Sequence, residues 1–394
     1  MVAADEPRAA MVGRDILSAG GTAADAAVAM AFALTVTLPS QAGLAAGGAC
    51  MIYDHDKNKV ETLDFVPSNP LIPGLPRGMY ALSTKYGRLR WEQLVAPAEG
   101  MARLGTPVSR AFAQQIVPVA GSLLADAQAR RIYAKADGRP VGEGDILVQP
   151  DLGGTLGRLR IQGAGVFYVG PWAERLVSSV TAAGGSLTSD ELRRFLPQWK
   201  APVALPSGGD TLYLAASPAA GPEEAGLWDG HAAAPASATA ASGEGKPGTG
   251  LVAVDANGSA VACSIGLGGD FGARRILPDN GITLPVVATG GKPLSGFGPL
   301  LALDTGRHEI RYAAAAGGGL TAPAAMVRAA RSALTDGGSL AKALAAGAAA
   351  APGADLSVRV NAVECASGGP VPERCHAATD PRGFGLALTA GNPG

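Results

Sequence analysis

Residues 248–275 read GTGLVAVDANGSAVACSIGLGGDFGARR, and no other stretch limits the possible folds of this chain as tightly. Two apolar runs, Leu251 to Val254 and Ala260 to Cys263, flank Asp255-Ala256-Asn257-Gly258. Asn-Gly readily takes positive φ, so the pattern predicts two antiparallel strands joined by a tight hairpin. Around it, helical and strand signals alternate in blocks. Helices are predicted at 7–18, 23–36, 79–86, 91–104, 109–127, 151–162, 172–183, 189–195, 322–335 and 340–346. Strands are predicted at 49–54, 59–65, 211–215, 251–254, 260–265, 308–313 and 356–362. Thr188 and Ser189 ahead of Asp190-Glu191 form an N-cap signal for one of these helices. This order fits two stacked sheets covered by helices on both outer faces.

Length and composition fit that class. With 394 residues and 47% apolar content the chain can bury a large core. A net charge of −1 offers no electrostatic footprint for nucleic acid, which removes that partner class. Fifty-six glycines against 5% aromatics favour close backbone packing. The apolar run Ala26 to Leu38 follows Asp25 and is too short for a bilayer, so it reads as a buried helix and no membrane span is expected. His55, His231, His308 and His376 are scattered without metal-ligand spacing. The glycine runs 266–269 and 317–319 lack the spacing and the Lys-Ser/Thr ending of a nucleotide loop, so neither cofactor nor metal is expected.

Several strings carry a family resemblance. AGGTAADAAVA (Ala19 to Ala29), GLAAGGACMIYD (Gly43 to Asp54), VETLDF (Val60 to Phe65), Pro73 to Ser109 and Phe167 to Phe195 occur in order. KPLSGFGPLLALDTG (Lys292 to Gly306) and AAAAGGGLTAP (Ala313 to Pro323) follow. Together they resemble the γ-glutamyltransferase family of N-terminal nucleophile hydrolases. The resemblance implies an α+β fold, a four-layer αββα sandwich. It also implies γ-glutamyl transfer or hydrolysis of glutathione and other small γ-glutamyl compounds. In that chemistry the chain cuts itself before a Thr, Ser or Cys, and the freed α-amine activates the hydroxyl of the residue that bears it. The implied organisation is a large-subunit-like region 1–228, a low-complexity, flexible linker 229–248 and a small-subunit-like region 249–394, together one folded unit and a candidate homo-oligomer. Family members have a much longer helical segment where the linker stands.

Carrying the family's functional residues across leaves most positions empty. Aligned on Val254-Asp255, the nucleophilic Thr falls on Gly248, and the hydroxyl residue after it falls on Thr249. The Arg that pairs with the substrate carboxylate falls on Val66, and an isopropyl group cannot replace a guanidinium fork. The Thr-x-Asn pair falls on Gly266 and Gly268, and the Asp for the substrate amine falls in the unmatched stretch 284–289. In the serine loop Ser295 is kept beside Gly296, while Gly318 and Gly319 keep the backbone N–H groups of an oxyanion cradle. Each lost charge-assisted hydrogen bond costs about 1.5–3 kcal/mol of binding. The family reaction is therefore expected to be impaired or lost, the alternative being an inactive scaffold that does not self-process. Thr249 is the remaining candidate nucleophile, one residue out of register, and a one-residue slip turns a strand side chain to the opposite face unless a bulge absorbs it. The expectation is an uncut chain.

Cys50 and Cys263 lie in apolar strands and read as inert core thiols. Cys365 and Cys375 flank ASGGPVPER and are either a disulfide or two free thiols. Family members are usually exported behind a signal segment, whereas Met1 here stands directly on the first motif. That leaves a start further upstream or a cytoplasmic protein as the two expectations.

Overall fold

The helix Ala23–Thr37 (α2) is apolar on every side and buried along its whole length. A helix with no polar face needs partners all round. It finds them in the preceding helix Pro7–Ser18 (α1), the helices Leu75–Tyr86 (α3) and Trp91–Leu104 (α4), and the two strands of the hairpin. The AGGT string that leads into it is explained by the turn. Gly20 has φ +84°, a conformation costly for any residue with a Cβ, and Thr22 then caps α2. Asp25 closes a reciprocal capping box with Thr22, and the same carboxylate accepts the backbone N–H groups of Arg88 at 2.9 Å and Leu89 at 3.2 Å. From the hairpin, Asp255 accepts Ala23 N–H at 3.0 Å, so two buried carboxylates hold the start of one helix.

The computed structural model describes residues 1–216, 226–228, 248–287, 298–317, 322–336, 338–349, 358–368 and 371–390. Its strands are β1 (Val2–Ala4), β2 (Gly47–Asp54), β3 (Lys59–Asp64), β4 (Thr106–Pro107), β5 (Ile146–Leu147), β6 (Gln198–Lys200), β7 (Val203–Ser207) and β8 (Asp210–Leu214). β9 (Thr249–Val254), β10 (Ala260–Gly266), β11 (Leu300–Asp304), β12 (Ile310–Gly317), β13 (Arg359–Cys365), β14 (Cys375–Thr379) and β15 (Leu386–Leu388) follow. A seven-stranded sheet runs β15-β1-β9-β10-β2-β3-β6, and a six-stranded sheet runs β14-β13-β12-β11-β8-β7. Pairing is antiparallel throughout both sheets. Strand alternation sorts the side chains into layers. Leu251, Ala253, Val261 and Ile265 join the helices α1 to α4, while Val252, Val254, Ala260 and Ala262 meet Leu301, Leu303, Ala313 and Ala315 of the second sheet. The outer face of that sheet, with Leu300, Ala302 and Ala314, lies under the helices Ala322–Thr335 and Leu340–Ala349. The result is the four-layer αββα sandwich.

Several expectations need correcting. Residues 109–127 do not make one helix: Arg110–Ile116 is followed by a 3₁₀ turn, Val117–Val119, and the short helix Ala120–Leu123. Pro118 lacks the N–H that would carry the helix through. The strand read at 308–313 lies at Ile310–Gly317, because His308 takes φ +56° in the turn before it. The strand read at 356–362 lies at Arg359–Cys365. Cys50 and Cys263 are not free thiols but a disulfide. They stand directly opposite each other in β2 and β10, with Cα atoms 4.0 Å apart, a pairing invisible before the strand register is known. Cys365 and Cys375 are likewise opposite and bonded. The stretch 229–247 lies outside the described residues. Among the described residues no helix is long and apolar enough to cross a membrane.

Asp25→Ala should destabilise the protein by about 3 kcal/mol, because it strands three partly buried N–H groups, those of Thr22, Arg88 and Leu89, at once. Urea denaturation with an unchanged m-value checks this, and a loss below about 1 kcal/mol would show that the clasp is not structural.

Candidate functional site

The strand ends that the alignment singled out lie along one end of the first sheet. Ile265 stands opposite Thr249, Gly266 opposite Gly47, Ala49 opposite Asp64, and Ala4 opposite Leu251. Asp5 follows β1 there, and Val66 follows β3 by two residues. The second sheet brings Gly317 and Arg359, which pair with each other, to the same end.

Thr249 opens β9 and is 1% exposed. Its hydroxyl donates to Asp5 Oδ2 at 2.6 Å, and Gly250 N–H donates to the same oxygen at 3.2 Å. Asn361, fully buried on β13, donates through Nδ2 to Asp5 Oδ1 at 2.9 Å and to Gly250 O at 2.8 Å, which ties the two sheets. Asn361 Oδ1 is buried with no hydrogen-bond partner among the described residues. One strand over, Ser264 Oγ donates to Ala316 O at 2.8 Å, a second bridge between the sheets. Burial pushes the Asp5 carboxyl above its ordinary range, opposed by the bonds from Thr249, Asn361 and Gly250 and by the Arg359 guanidinium. Asp5 nonetheless keeps an edge to solvent. Sequence reasoning had not picked out Asp5. It sits in Asp5-Glu6-Pro7, where Glu6 caps α1 by accepting Ala9 N–H at 2.9 Å, and only the pairing of β1 with β9 places Asp5 beside Thr249.

Backbone packs so closely here, within the first sheet at Gly248 and between the sheets at Gly250 and Gly317, that glycine is required. A Cβ on Gly248 would lie 1.5 Å from Ile265 O and 2.4 Å from Gly266 Cα. One on Gly317 would lie 2.3 Å from Gly248 O, and one on Gly250 would lie 2.6 Å from Ala315 O. Real Cβ atoms tolerate none of these distances. The aligned nucleophile position is therefore filled by backbone. Val66 offers only its N–H, which donates to Asp64 Oδ1 at 3.0 Å. The nearby cation, Lys200, is paired with Asp64 Oδ2 at 2.7 Å. Gly268 takes φ +77° in the turn after β10. Neither it nor Gly266 has a side chain to offer a substrate. Ser295, Gly296, Gly318 and Gly319 lie outside the described residues.

Cavities formed by described residues are found elsewhere. Two, of about 170 and 250 Å³, flank the far end of the hairpin and share Thr22, Arg88, Asp255 and Asn257. Neither is lined by Asp5, Thr249 or Asn361. Among the described residues no cluster of three or more His, Cys, Asp and Glu could hold a metal ion.

The family model described as gamma-glutamyltranspeptidase matches residues 9–71 and 67–228. The glutathione hydrolase proenzyme of Bacillus subtilis (strain 168) is 31% identical over 223 residues, 50% of this chain and 38% of the relative. Glutathione hydrolase 3 of Arabidopsis thaliana is 30% identical over 217 residues, 50% of this chain and 34% of the relative. The chain thus spans well under half the length of these curated relatives. The crystal structure of cephalosporin acylase from Bacillus halodurans superposes with a TM-score of 0.79 at 18% identity, covering 98% of this chain and 94% of that one. That likeness concerns the fold, which is of the N-terminal nucleophile hydrolase type.

The Asp5 environment sets a pH dependence. A carboxyl whose folded pKa is raised contributes stability that is fully present below its unfolded pKa, 3.8, and is lost as pH rises through the folded value. Relative to Asp5→Asn, the wild-type protein should therefore lose stability from about pH 4 upward until Asp5 is ionised. The difference should change by at most about 1.4 kcal/mol per pH unit. Parallel stability curves for the two proteins between about pH 4 and 7 would contradict the assignment.

Proposed function

The chain belongs to the gamma-glutamyltranspeptidase family, and on that premise we propose that it keeps the family scaffold while its γ-glutamyl transfer or hydrolysis is impaired or lost. The closed slot at Gly248 carries this reading: the aligned nucleophile position has neither a hydroxyl nor room for one. Two further losses support it. Val66 supplies no positive charge for a carboxylate, and Gly266 and Gly268 supply no hydrogen-bonding side chains. A zwitterionic substrate stripped of several charge-assisted bonds loses orders of magnitude in affinity. The role that remains is that of a binding or assembly scaffold, with a small γ-glutamyl compound as the ligand class that the family suggests. Two disulfides favour an oxidising compartment for it.

One observation favours a second reading, in which Thr249 works as a nucleophile on an altered substrate. Its hydroxyl is held at 2.6 Å by a carboxylate whose proton affinity is raised, an arrangement that can accept the hydroxyl proton. The two readings differ in covalent structure. A working N-terminal nucleophile needs a free α-amine, so Thr249 would have to become a chain terminus.

Intact-mass measurement on the purified protein is expected to give one undivided chain, and γ-glutamyl anilides and glutathione are expected to show no turnover above background. Gly248→Thr should not restore activity, because the added Cβ collides with Ile265 O. A fragment beginning at Thr249, abolished by Thr249→Ala, would establish the second reading instead. Anilide turnover at an enzymatic rate with KM below about a millimolar would overturn the proposal.

A further inference from the structure

The cysteines of the Cys50–Cys263 disulfide are 213 positions apart in sequence, whereas those of Cys365–Cys375 are 10 apart. The long loop contains the low-complexity stretch 229–248 and the Gly248–Thr249 bond; the short one contains neither. Cys50 and Cys263 are both fully buried, on neighbouring strands in the middle of the first sheet. The two sides of position 248 are interleaved in that sheet: β1, β2, β3 and β6 come from before it, and β9, β10 and β15 from after it. We infer that Cys50–Cys263 is a covalent tie across the 248–249 position, so that a backbone break anywhere from residue 51 to residue 262 leaves one covalently joined molecule. This holds whether or not the chain divides itself, and so does not depend on the function proposed above.

The tie is insulated from reductant by burial. Breaking it takes two electrons and two protons from an added dithiol, which leaves as its own cyclic disulfide while Cys50 and Cys263 become thiols. A thiolate must reach the sulfur atoms to begin that exchange, and in the native sheet they lie between β2, β10 and the helix layer. Separation of the two parts therefore requires unfolding together with reduction.

The test is a peptide map and a gel. The full chain carrying a site-specific protease sequence inserted after Ser242 is cut to completion, alkylated, and run under denaturing conditions with and without dithiothreitol. One band of full mass without reductant and two bands with it are expected, as is an unreduced peptide map in which the Cys50 peptide is joined to the Cys263 peptide. Cys365→Ser with Cys375→Ser should leave the single unreduced band in place, and Cys50→Ser with Cys263→Ser should give two bands under both conditions. Two bands from the unreduced parent, or alkylation of Cys50 before reduction, would overturn the inference. Because the decisive readings come from the parent cysteines after denaturation, they stand even if a serine variant fails to fold.

Discussion

The start of α2 is held by two carboxylates, one from the helix itself and one from the β9-β10 hairpin of the first sheet. Asp25 and Asp255, both buried, converge on the first turn of a helix that has no polar face. Anionic groups at a helix N-terminus are favoured by the unsatisfied N–H groups there as well as by the dipole. Here they also fix positions far apart in sequence: Asp25 reaches the loop at Arg88 and Leu89, and Asp255 belongs to the hairpin. Because β9 is one arm of that hairpin, its height against the helix layer is set at the Asp255 end. The position of Thr249 at the other end follows from it. Burial raises the Asp255 pKa, and its bonds from Ala23, Ser259 and Asn257 oppose the rise.

What the sequence revealed and what it hid divide along physical lines. The hairpin and the buried helix were legible because each is a local signal: Asn257-Gly258 and the apolar run Ala26 to Leu38. The αββα layering followed from their order. Hidden were the features made by pairing between distant segments. Cys50 and Cys263 look like apolar strand residues until antiparallel register sets them face to face. Asp5 looks like one more polar residue before a helix until β1 lies beside β9. The short strands β1 and β15, three residues each, carry too little alternation to be read at all.

At the candidate site polar groups join the two sheets where their backbones come closest. Glycines let the two sheets close on each other at Gly250 and Gly317, and the polar groups there hydrogen-bond mainly to one another. A carboxylate, a hydroxyl and an amide, which elsewhere could act on a substrate, here join β1, β9 and β13. Asn361 Oδ1 is buried without a donor among the described residues.

The placement of β1 bears on how the molecule is assembled in time. Its partners are β9, some 250 residues away by the Val2–Ala253 pairing, and β15, some 386 away by Val2–Leu388. Contacts of such separation are entropically expensive to close and form slowly. During synthesis β1 must wait for β15, some 386 residues later, before it has a neighbour on both sides. β1 is thus a late arrival in folding, and until it docks, the flank of β9 is an unpaired sheet edge open to association with other chains.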